Sequence, residues 1–319
     1  MTDGSTLIFG EVHTGLLQHS TALSPSSCEE VLALSRSERV RRFERPIAHA
    51  VSPETLTGVD CGLPVPASRA RAVGTVACRT SITGGQILQG SALVRLTPSA
   101  VTHRLPWSHY LARPGRVEVI GKVDIPELAE QFVHPEHPAT ALDVRAISAR
   151  AVDAVQASRR LDRRPPLRAA RTRLRWAAIL ADHPSADVIR FRMENPTLRT
   201  ALLSCSRAEV ASVVEFCEDF ALHDWLLTTL LRTLERSRIG VSAGPDAVRA
   251  LRPAVDHLLH LWMPGARGTE VSAGLWQRLE RRPGLNRQWQ VSVERIRDHM
   301  ALATIGLLEA LLGGSGGRA

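Results

Sequence analysis

The sequence predicts an α+β fold, in which a β-rich N-terminal domain is followed by a small antiparallel sheet that several long helices cover. Three observations support this prediction. Residues 1–125 are rich in Gly, Pro, Thr and Val and lack a sustained pattern with the period of a helix. Three short apolar runs, separated by turn-forming residues, follow between 174 and 205. After residue 206, apolar side chains recur at helical spacing almost to the end of the chain.

The N-terminal domain is expected to span residues 1–130 and to be organised around a β-hairpin. Residues 70–82 and 86–96 are rich in β-branched side chains. Between them lie Gly84 and Gly85, which can adopt the positive φ angles of a tight turn. The other elements predicted here are strands at 6–12 and 116–123 and a short helix within 26–43.

A linker and an Arg-rich connecting helix are expected over residues 131–170. Residues 131–142 contain two prolines, which is typical of a linker. The Ala- and Arg-rich residues 141–164 have a helical composition that ends at Pro165 and Pro166. Proline stops a helix because it lacks a backbone donor and clashes with the preceding turn.

The C-terminal domain is expected over residues 171–312. Its strands are predicted to form a three-stranded antiparallel meander because turn-rich loops join them. Ser206 and Glu209 then form a capping-box pattern at the start of the first helix. The predicted strands are 174–180, 187–193 and 197–205, and the predicted helices are 207–238, 245–263, 270–282 and 286–312. Residues 313–319 are rich in Gly and are predicted to be a disordered tail.

The composition of the chain restricts the cellular location and the class of protein that we expect. The chain has 319 residues, which favours two domains. No apolar run approaches the roughly 18 residues of a membrane span, so no membrane partner is expected. The N-terminal residues lack a basic segment followed by an apolar one, so we expect no secretory signal and a cytoplasmic location. The five cysteines are scattered without a CxxC spacing, which favours reduced thiols over disulfides or a zinc site.

The motifs of several enzyme classes are missing from the sequence. It contains no GxxxxGK[ST], GxGxxG, HExxH or GxSxG pattern, so the common nucleotide, dinucleotide, zincin and serine-hydrolase scaffolds are not indicated. We therefore expect no cofactor, no resident metal and no catalytic residues. The sequence favours a non-enzymatic role over an enzymatic one.

The doublet His223-Asp224 is the strongest exception, because it interrupts the apolar run FCEDFALHDWLLTTLL. At 100° per residue, Asp224 falls on the apolar face of the predicted helix, so it is expected to be buried. A buried carboxylate needs a partner, and the expected one is an arginine from the neighbouring strands in a bidentate pair. The candidates are Arg190, Arg192 and Arg199.

The alternative for this doublet is a metal-dependent phosphohydrolase-like site. Such a site would combine His223 and Asp224 with a later carboxylate, Asp256, and with His183 upstream. Asp256 also lies four residues before His260, a spacing that places two side chains next to each other on a helix. For that second spacing we favour a surface His-Asp pair.

The basic stretch at 159–175 is a candidate contact for an acidic partner. Net charge is +8, but Lys122 is the only lysine among 40 basic residues, which is typical of a GC-rich coding bias. The possible interaction residues are Arg163, Arg164, Arg168 and Arg171. Weak nucleic-acid binding by phosphate neutralisation is one interpretation, and an exposed interdomain bend is the other.

The C-terminal helix carries more apolar surface than one docking face can bury. One stripe is formed by Trp289, Val293, Ile296, Leu307 and Leu311. Outside this stripe lie Leu302, Ile305, Leu308 and Leu312. These four residues predict a contact with a protein partner or a second copy of the chain, because exposed apolar patches mark interfaces. Complete burial within the monomer is the alternative.

Several stretches resemble an uncharacterised family of conserved actinobacterial proteins of the Streptomyces type. They are FCEDFALHDWLLTTLL, VDHLLHLWMPGAR, LERRPGLNRQW, FGEVHTGLLQHS and LPWSHYLARPG. The resemblance implies a genetic neighbourhood with a variant P-loop protein and a methyltransferase-like protein, and it implies no activity. Together with the missing motifs, it leads us to expect a non-enzymatic interaction or scaffold component of a cytoplasmic actinobacterial assembly.

Overall fold

The computed structural model describes residues 6–33, 39–63, 70–136, 142–181, 186–237, 244–266, 268–281 and 283–314. It has the α+β fold that the sequence predicts, with one mixed ten-stranded sheet and helices on both faces. The strands are β1 (Leu7–Leu16), β2 (Arg41–Phe43), β3 (His49–Val51), β4 (Thr55–Gly62), β5 (Arg71–Thr83), β6 (Ile87–Pro98), β7 (Arg116–Ile120), β8 (Thr172–Leu180), β9 (Asp187–Asn195) and β10 (Leu198–Cys205).

The helices of the described residues flank these strands. They are α1 (Pro25–Leu32), α2 (Trp107–Leu111), α3 (Ile125–Val133), α4 (Val144–Gln156), α5 (Val210–Ser237), α6 (Gly244–His257), α7 (Glu270–Arg281) and α8 (Leu285–Gly314), with a short 3-10 helix at Leu259–Leu261. The sheet order is β2-β3-β5-β7-β6-β1-β8-β10-β9, and β4 pairs with β5 beside this path.

The sheet continues across the boundary that the sequence suggests at 131–170. Strand β1 pairs antiparallel with β6 on one side and with β8 on the other. Two separate domains would each have their own sheet, whereas here the first strand joins the two halves. All ten residues of β1 are buried, as expected for a strand in the middle of a sheet that is covered on both faces.

Alternate residues of β1 contribute to two different cores. Leu7 and Phe9 pack with α3 and α4, while Ile8 and Val12 pack with α5 and the helices beyond it. This alternation is the two-residue period of a strand. The molecule therefore has three layers, with α3 and α4 on one face of the sheet and α5 with α6–α8 on the other.

The predicted meander of the C-terminal strands is wrong. β9 and β10 pair antiparallel, as expected, but β10 lies between β8 and β9 and runs parallel to β8. Burial explains the order, because β10 is almost entirely buried and needs neighbours on both sides. β9 carries charged side chains and is only partly buried, which suits the edge of a sheet.

The predicted hairpin forms, but it opens away from its turn. Residues 77–83 of β5 pair with residues 87–93 of β6, and Gly84 and Gly85 have φ of 57° and 67°. Farther from the turn the two strands separate, and β7 lies between them. It runs antiparallel to residues 71–74 of β5 and parallel to residues 95–98 of β6.

The predicted helices are present with shifted ends. The connecting helix ends at Gln156, well before the two prolines, and residues 137–141 of the expected linker lie outside the described residues. The predicted capping pair is present in part, because the Glu209 carboxylate accepts hydrogen bonds from the N–H and the hydroxyl of Ser206, each at 2.8 Å. Helix α8 reaches Gly314, and residues 315–319 of the expected tail lie outside the described residues.

Candidate functional site

Asp224 is buried on α5 and is held by an arginine from β10. Arg199 Nε donates to Asp224 Oδ1 at 2.9 Å, and the two side chains are only 3% and 8% exposed. The predicted arginine partner is therefore present. The pair is not bidentate, since the other two nitrogens of Arg199 donate to Asn195 O and Thr228 Oγ1. Burial raises the pKa of Asp224, and the guanidinium of Arg199 opposes that rise.

Arg199 is selected over the other two predicted candidates by its position in the sheet. It shares the face of β10 that carries Ala201 and Leu203 into the α5 core. Arg190 pairs instead with Glu130 of α3, and Arg192 is exposed. The two-residue period of β10 thus turns the Arg199 side chain toward α5, where Asp224 lies.

Both ring nitrogens of His223 are occupied by protein groups. Nδ1 lies 2.8 Å from the carbonyl oxygen of Asp219, so it carries the proton and donates. Nε2 then accepts from the backbone N–H of Met263 at 3.2 Å. The ring also packs edge-on against Trp262 and Trp276. These contacts fix the tautomer and make His223 a connection between α5 and the segment before α7.

Two acidic residues, about one turn before His223, also connect α5 to other elements. Arg79 of β5 binds the carboxylate of Glu218 through two nitrogens, at 3.0 and 2.7 Å. Asp219 Oδ2 accepts from Gly265 N at 2.9 Å and from Trp276 Nε1 at 3.0 Å. Consecutive polar residues of α5 therefore attach it to the sheet, to a loop and to another helix.

The residues of the alternative metal site do not assemble one. Asp256 is exposed on α6 and lies 3.4 Å from Arg252, while His183 lies outside the described residues. The polar atoms of His223 and Asp224 already make the hydrogen bonds described above. In the described part of the chain, no group of three or more His, Cys, Asp or Glu side chains is placed to hold a metal ion.

The Arg-rich segment is partly neutralised by the fold. Arg171 binds Asp153 of α4 at 2.8 Å, whereas Arg163, Arg164 and Arg168 are exposed. The segment is irregular between α4 and β8, as expected for a bend. The interpretation as a nucleic-acid contact remains a prediction.

Helix α8 buries one face in its first half and is exposed in its second. Trp289 and Ile296 pack into the α5 core, as the apolar stripe predicts. Leu302, Ile305 and Leu308 are 67%, 51% and 53% exposed. The side chains of Leu307, Leu311 and Leu312 lie outside the described ones. We define the α8 surface as Leu302, Ile305 and Leu308. The alternative prediction, complete burial within the monomer, is wrong for these three residues.

Sequence reasoning missed two buried ionic clusters. Glu11 of β1 accepts from Arg175 Nε at 2.9 Å and lies 3.4 Å from Arg173 Nη1. Glu118 of β7 accepts from His109 Nε2 at 2.6 Å and from Arg113 Nη1 at 2.9 Å. In each case the sequence shows a single carboxylate within an apolar strand, in FGEVH and in RVEVI. A buried carboxylate needs a charged partner, so this pattern could have indicated the two clusters.

No known protein family, curated protein or solved structure matches this chain. Across the described residues, every helix is too short or too polar to pass through a lipid bilayer. On the α8 surface, three large apolar side chains are exposed on one stretch of helix.

Proposed function

We propose that this chain is a non-enzymatic interaction component and that the α8 surface docks a second copy of the same chain. The observation that carries this proposal is the exposure of three large apolar side chains on the second half of a helix whose first half buries one apolar face. Removing apolar area from water favours association, and the loss of rotational and translational freedom opposes it.

The sequence of this half-helix favours self-association. Ala301, Ile305, Leu308 and Leu312 follow one another at intervals of four, three and four residues, the spacing of a two-helix seam. Glu309 is the only charged residue between 300 and 312. Each copy therefore brings only one carboxylate to the seam, so charge repulsion between copies is small, and a two-fold axis would bring the same residues into contact from both sides.

The expected dimer is weak. A stable interface buries about 800 Å² on each partner, and a seam of two helical repeats is smaller than that. We expect dissociation in the micromolar range, at about 1–100 µM. The proposal also includes a cytoplasmic location and membership of an actinobacterial assembly, which the sequence resemblance supports.

Size-exclusion chromatography with light scattering tests the proposal. Wild-type protein at high concentration should approach twice its monomer mass of 34.8 kDa, and Leu308→Ser should return it to the monomer. Val291→Ser is the matched control, since Val291 is an equally exposed apolar residue in the first half of α8. A wild type that stays monomeric at about 200 µM, a concentration above the expected dissociation range, contradicts the proposal.

The thermal stability of the same variants separates an interface from a core. Leu308 is exposed in the monomer, so Leu308→Ser should leave the melting temperature of the dilute protein close to that of wild type. A variant that unfolds at low concentration would place Leu308 in the core and refute its role as a docking residue.

A further inference from the structure

A cleft of about 540 Å³ lies between the C-terminal end of α5 and the irregular, Arg-rich segment before β8. One wall is formed by Pro165 and residues 167–170 of that segment, and the other by α5 residues that include Arg232 and Arg236. Leu16, the last residue of β1, also lines the cleft. We call this site the α5 cleft. Its volume is within the range of ligand sites, about 300–1,000 Å³.

Hydrogen bonds hold the irregular wall of the α5 cleft in place. Trp225 Nε1 of α5 donates to Ala170 O at 2.9 Å. At the other end of the segment, Arg163 N donates to Gln18 O at 2.9 Å, and Gln18 also lines the cleft. The segment is thus attached both to α5 and to the residues after β1. A partner therefore meets a wall that is already ordered, which lowers the entropy lost on binding.

The arginines of the α5 cleft have neutral hydrogen-bond acceptors instead of carboxylates. Arg232 Nη2 donates to Pro196 O at 3.1 Å. Arg236 donates to the carbonyl oxygens of Arg232 and Arg168, at 3.1 and 2.8 Å. The guanidinium of the exposed Arg168 forms no ion pair within the described part of the chain. Glu235 is the carboxylate of the lining, so three guanidinium groups leave a formal charge of 3 − 1 = +2. A cleft lined mainly by one sign of charge concentrates partners of the other sign.

The uncharged part of the lining favours a peptide over a nucleic acid. Leu16 is buried, and Pro165 and Leu167 are half-buried, so apolar surface lies beside the arginines. Among the described residues that line the cleft, none is aromatic, so the cleft offers no platform on which bases could stack. A phosphate backbone would use the arginines and leave the apolar residues uncovered, whereas a peptide can contact both.

We propose that the α5 cleft binds an extended acidic peptide of a partner protein, in which acidic and apolar residues alternate. Alternate residues of an extended chain face the same side and are about 6–7 Å apart. Arg232 and Arg236 are four residues apart on α5, which corresponds to about 6 Å along the helix, so two such acidic residues can face them. The residue between these two faces the opposite wall, where Pro165 and Leu167 lie. Arginine suits this role because its guanidinium can bind a carboxylate through two nitrogens.

Fluorescence anisotropy of the full chain at low salt tests this proposal with a labelled synthetic peptide in which glutamate alternates with leucine. One comparison peptide has glutamine in place of glutamate, and another has serine in place of leucine. The glutamate–leucine peptide should bind most tightly of the three, with a dissociation constant of about 10–100 µM. Arg168→Gln and Arg232→Gln should each weaken its binding about threefold, the effect typical of charge pairs that water still reaches.

Arg207→Gln is the matched control, because Arg207 is an exposed arginine just before the opposite end of α5. This variant loses the same charge without changing the cleft, and its affinity for the peptide should equal that of wild type. Arg168→Gln should keep the wild-type circular dichroism spectrum, because the Arg168 guanidinium makes no hydrogen bond within the described residues. Arg232→Gln, which changes the other wall, is the second and independent variant.

Several results overturn the proposal. One is no change of anisotropy up to about 500 µM protein, a concentration above the expected dissociation constant. Another is equal affinity for either comparison peptide, which removes the role of the acidic or of the apolar residues. Equal loss of affinity in Arg207→Gln reduces the effect to net charge. Tighter binding of an oligothymidylate than of the peptide assigns the cleft to a nucleic acid instead.

Discussion

Replacing Asp224 by Ala is the sharpest test of how this fold is held together. The substitution leaves the Arg199 guanidinium buried without its counter-charge, and Nε loses the carboxylate to which it donates. Removing one partner of a buried ion pair costs about 3–5 kcal/mol of unfolding free energy. Arg199 keeps hydrogen bonds to Asn195 O and Thr228 Oγ1, so we expect the lower end, about 3 kcal/mol.

The same loss can be expressed as a change of melting temperature. An unfolding entropy of about 2.1 cal/mol/K per residue gives about 0.67 kcal/mol/K for 319 residues, so about 3 kcal/mol lowers the melting temperature by 4–5 °C. Urea unfolding followed by circular dichroism at pH 7 measures the free energy, and a thermal scan measures the temperature.

A double-variant cycle isolates the pair from the rest of the core. Arg199→Met combined with Asp224→Leu should lose less stability than the sum of the two single changes by about 2 kcal/mol, because neither partner is left charged and alone.

Asp256→Ala, which removes an exposed partner of Arg252, should change stability by less than about 0.5 kcal/mol. A loss below about 1 kcal/mol in Asp224→Ala would refute the structural role of the pair. Wild-type stability combined with loss of a bound divalent ion would instead support the phosphohydrolase-like alternative.

Two further predictions concern β1. His13 Nδ1 and Ser148 Oγ are hydrogen-bonded at 2.8 Å, and burial, with Arg171 and Arg173 nearby, lowers the pKa of His13 to about 3. The unfolded chain binds a proton at His13 below about pH 6.5 and the folded chain does not, so stability should fall between about pH 6.5 and 3. The contribution is about 1.4 kcal/mol per pH unit, measurable by urea titration, and His13→Asn should remove it; an unchanged slope would be inconsistent with a buried neutral imidazole. Gly10→Ala should cost about 1–3 kcal/mol, because its Cβ would lie 2.3 Å from the Trp176 ring, whereas Gly274→Ala on α7 meets no neighbour and should not destabilise; equal melting temperatures for the two would contradict this.

The fold class and the need of Asp224 for an arginine partner follow from local patterns in the sequence, whereas the choice among Arg190, Arg192 and Arg199 does not. Helical periodicity places Asp224 on the buried face of α5, and strand periodicity places Arg199 on the face of β10 that meets it. A buried carboxylate then requires the pair. The hairpin is predictable for a similar reason, since Gly84 and Gly85 allow the turn.

The order of the strands does not follow from such patterns. β1 and β8 are distant in sequence, and nothing local in either indicates that they are neighbours. Likewise, the role of His223 depends on the N–H of Met263, which reaches it only after the chain has folded back beyond α6. The adjacency of Arg95 and Arg116 also arises only through the parallel register of β6 and β7, two non-consecutive strands.

The position of β1 between β6 and β8 also bears on how the chain is made. Translation at about 5–20 residues per second needs about 8–30 s to pass from the end of β1 at Leu16 to the start of β8 at Thr172. During that time one edge of β1 has no partner strand, and an open edge is a template for pairing with other chains. The interval between residues 17 and 171 is therefore when a nascent chain is most exposed to aggregation. Protection by a chaperone would matter most during that interval.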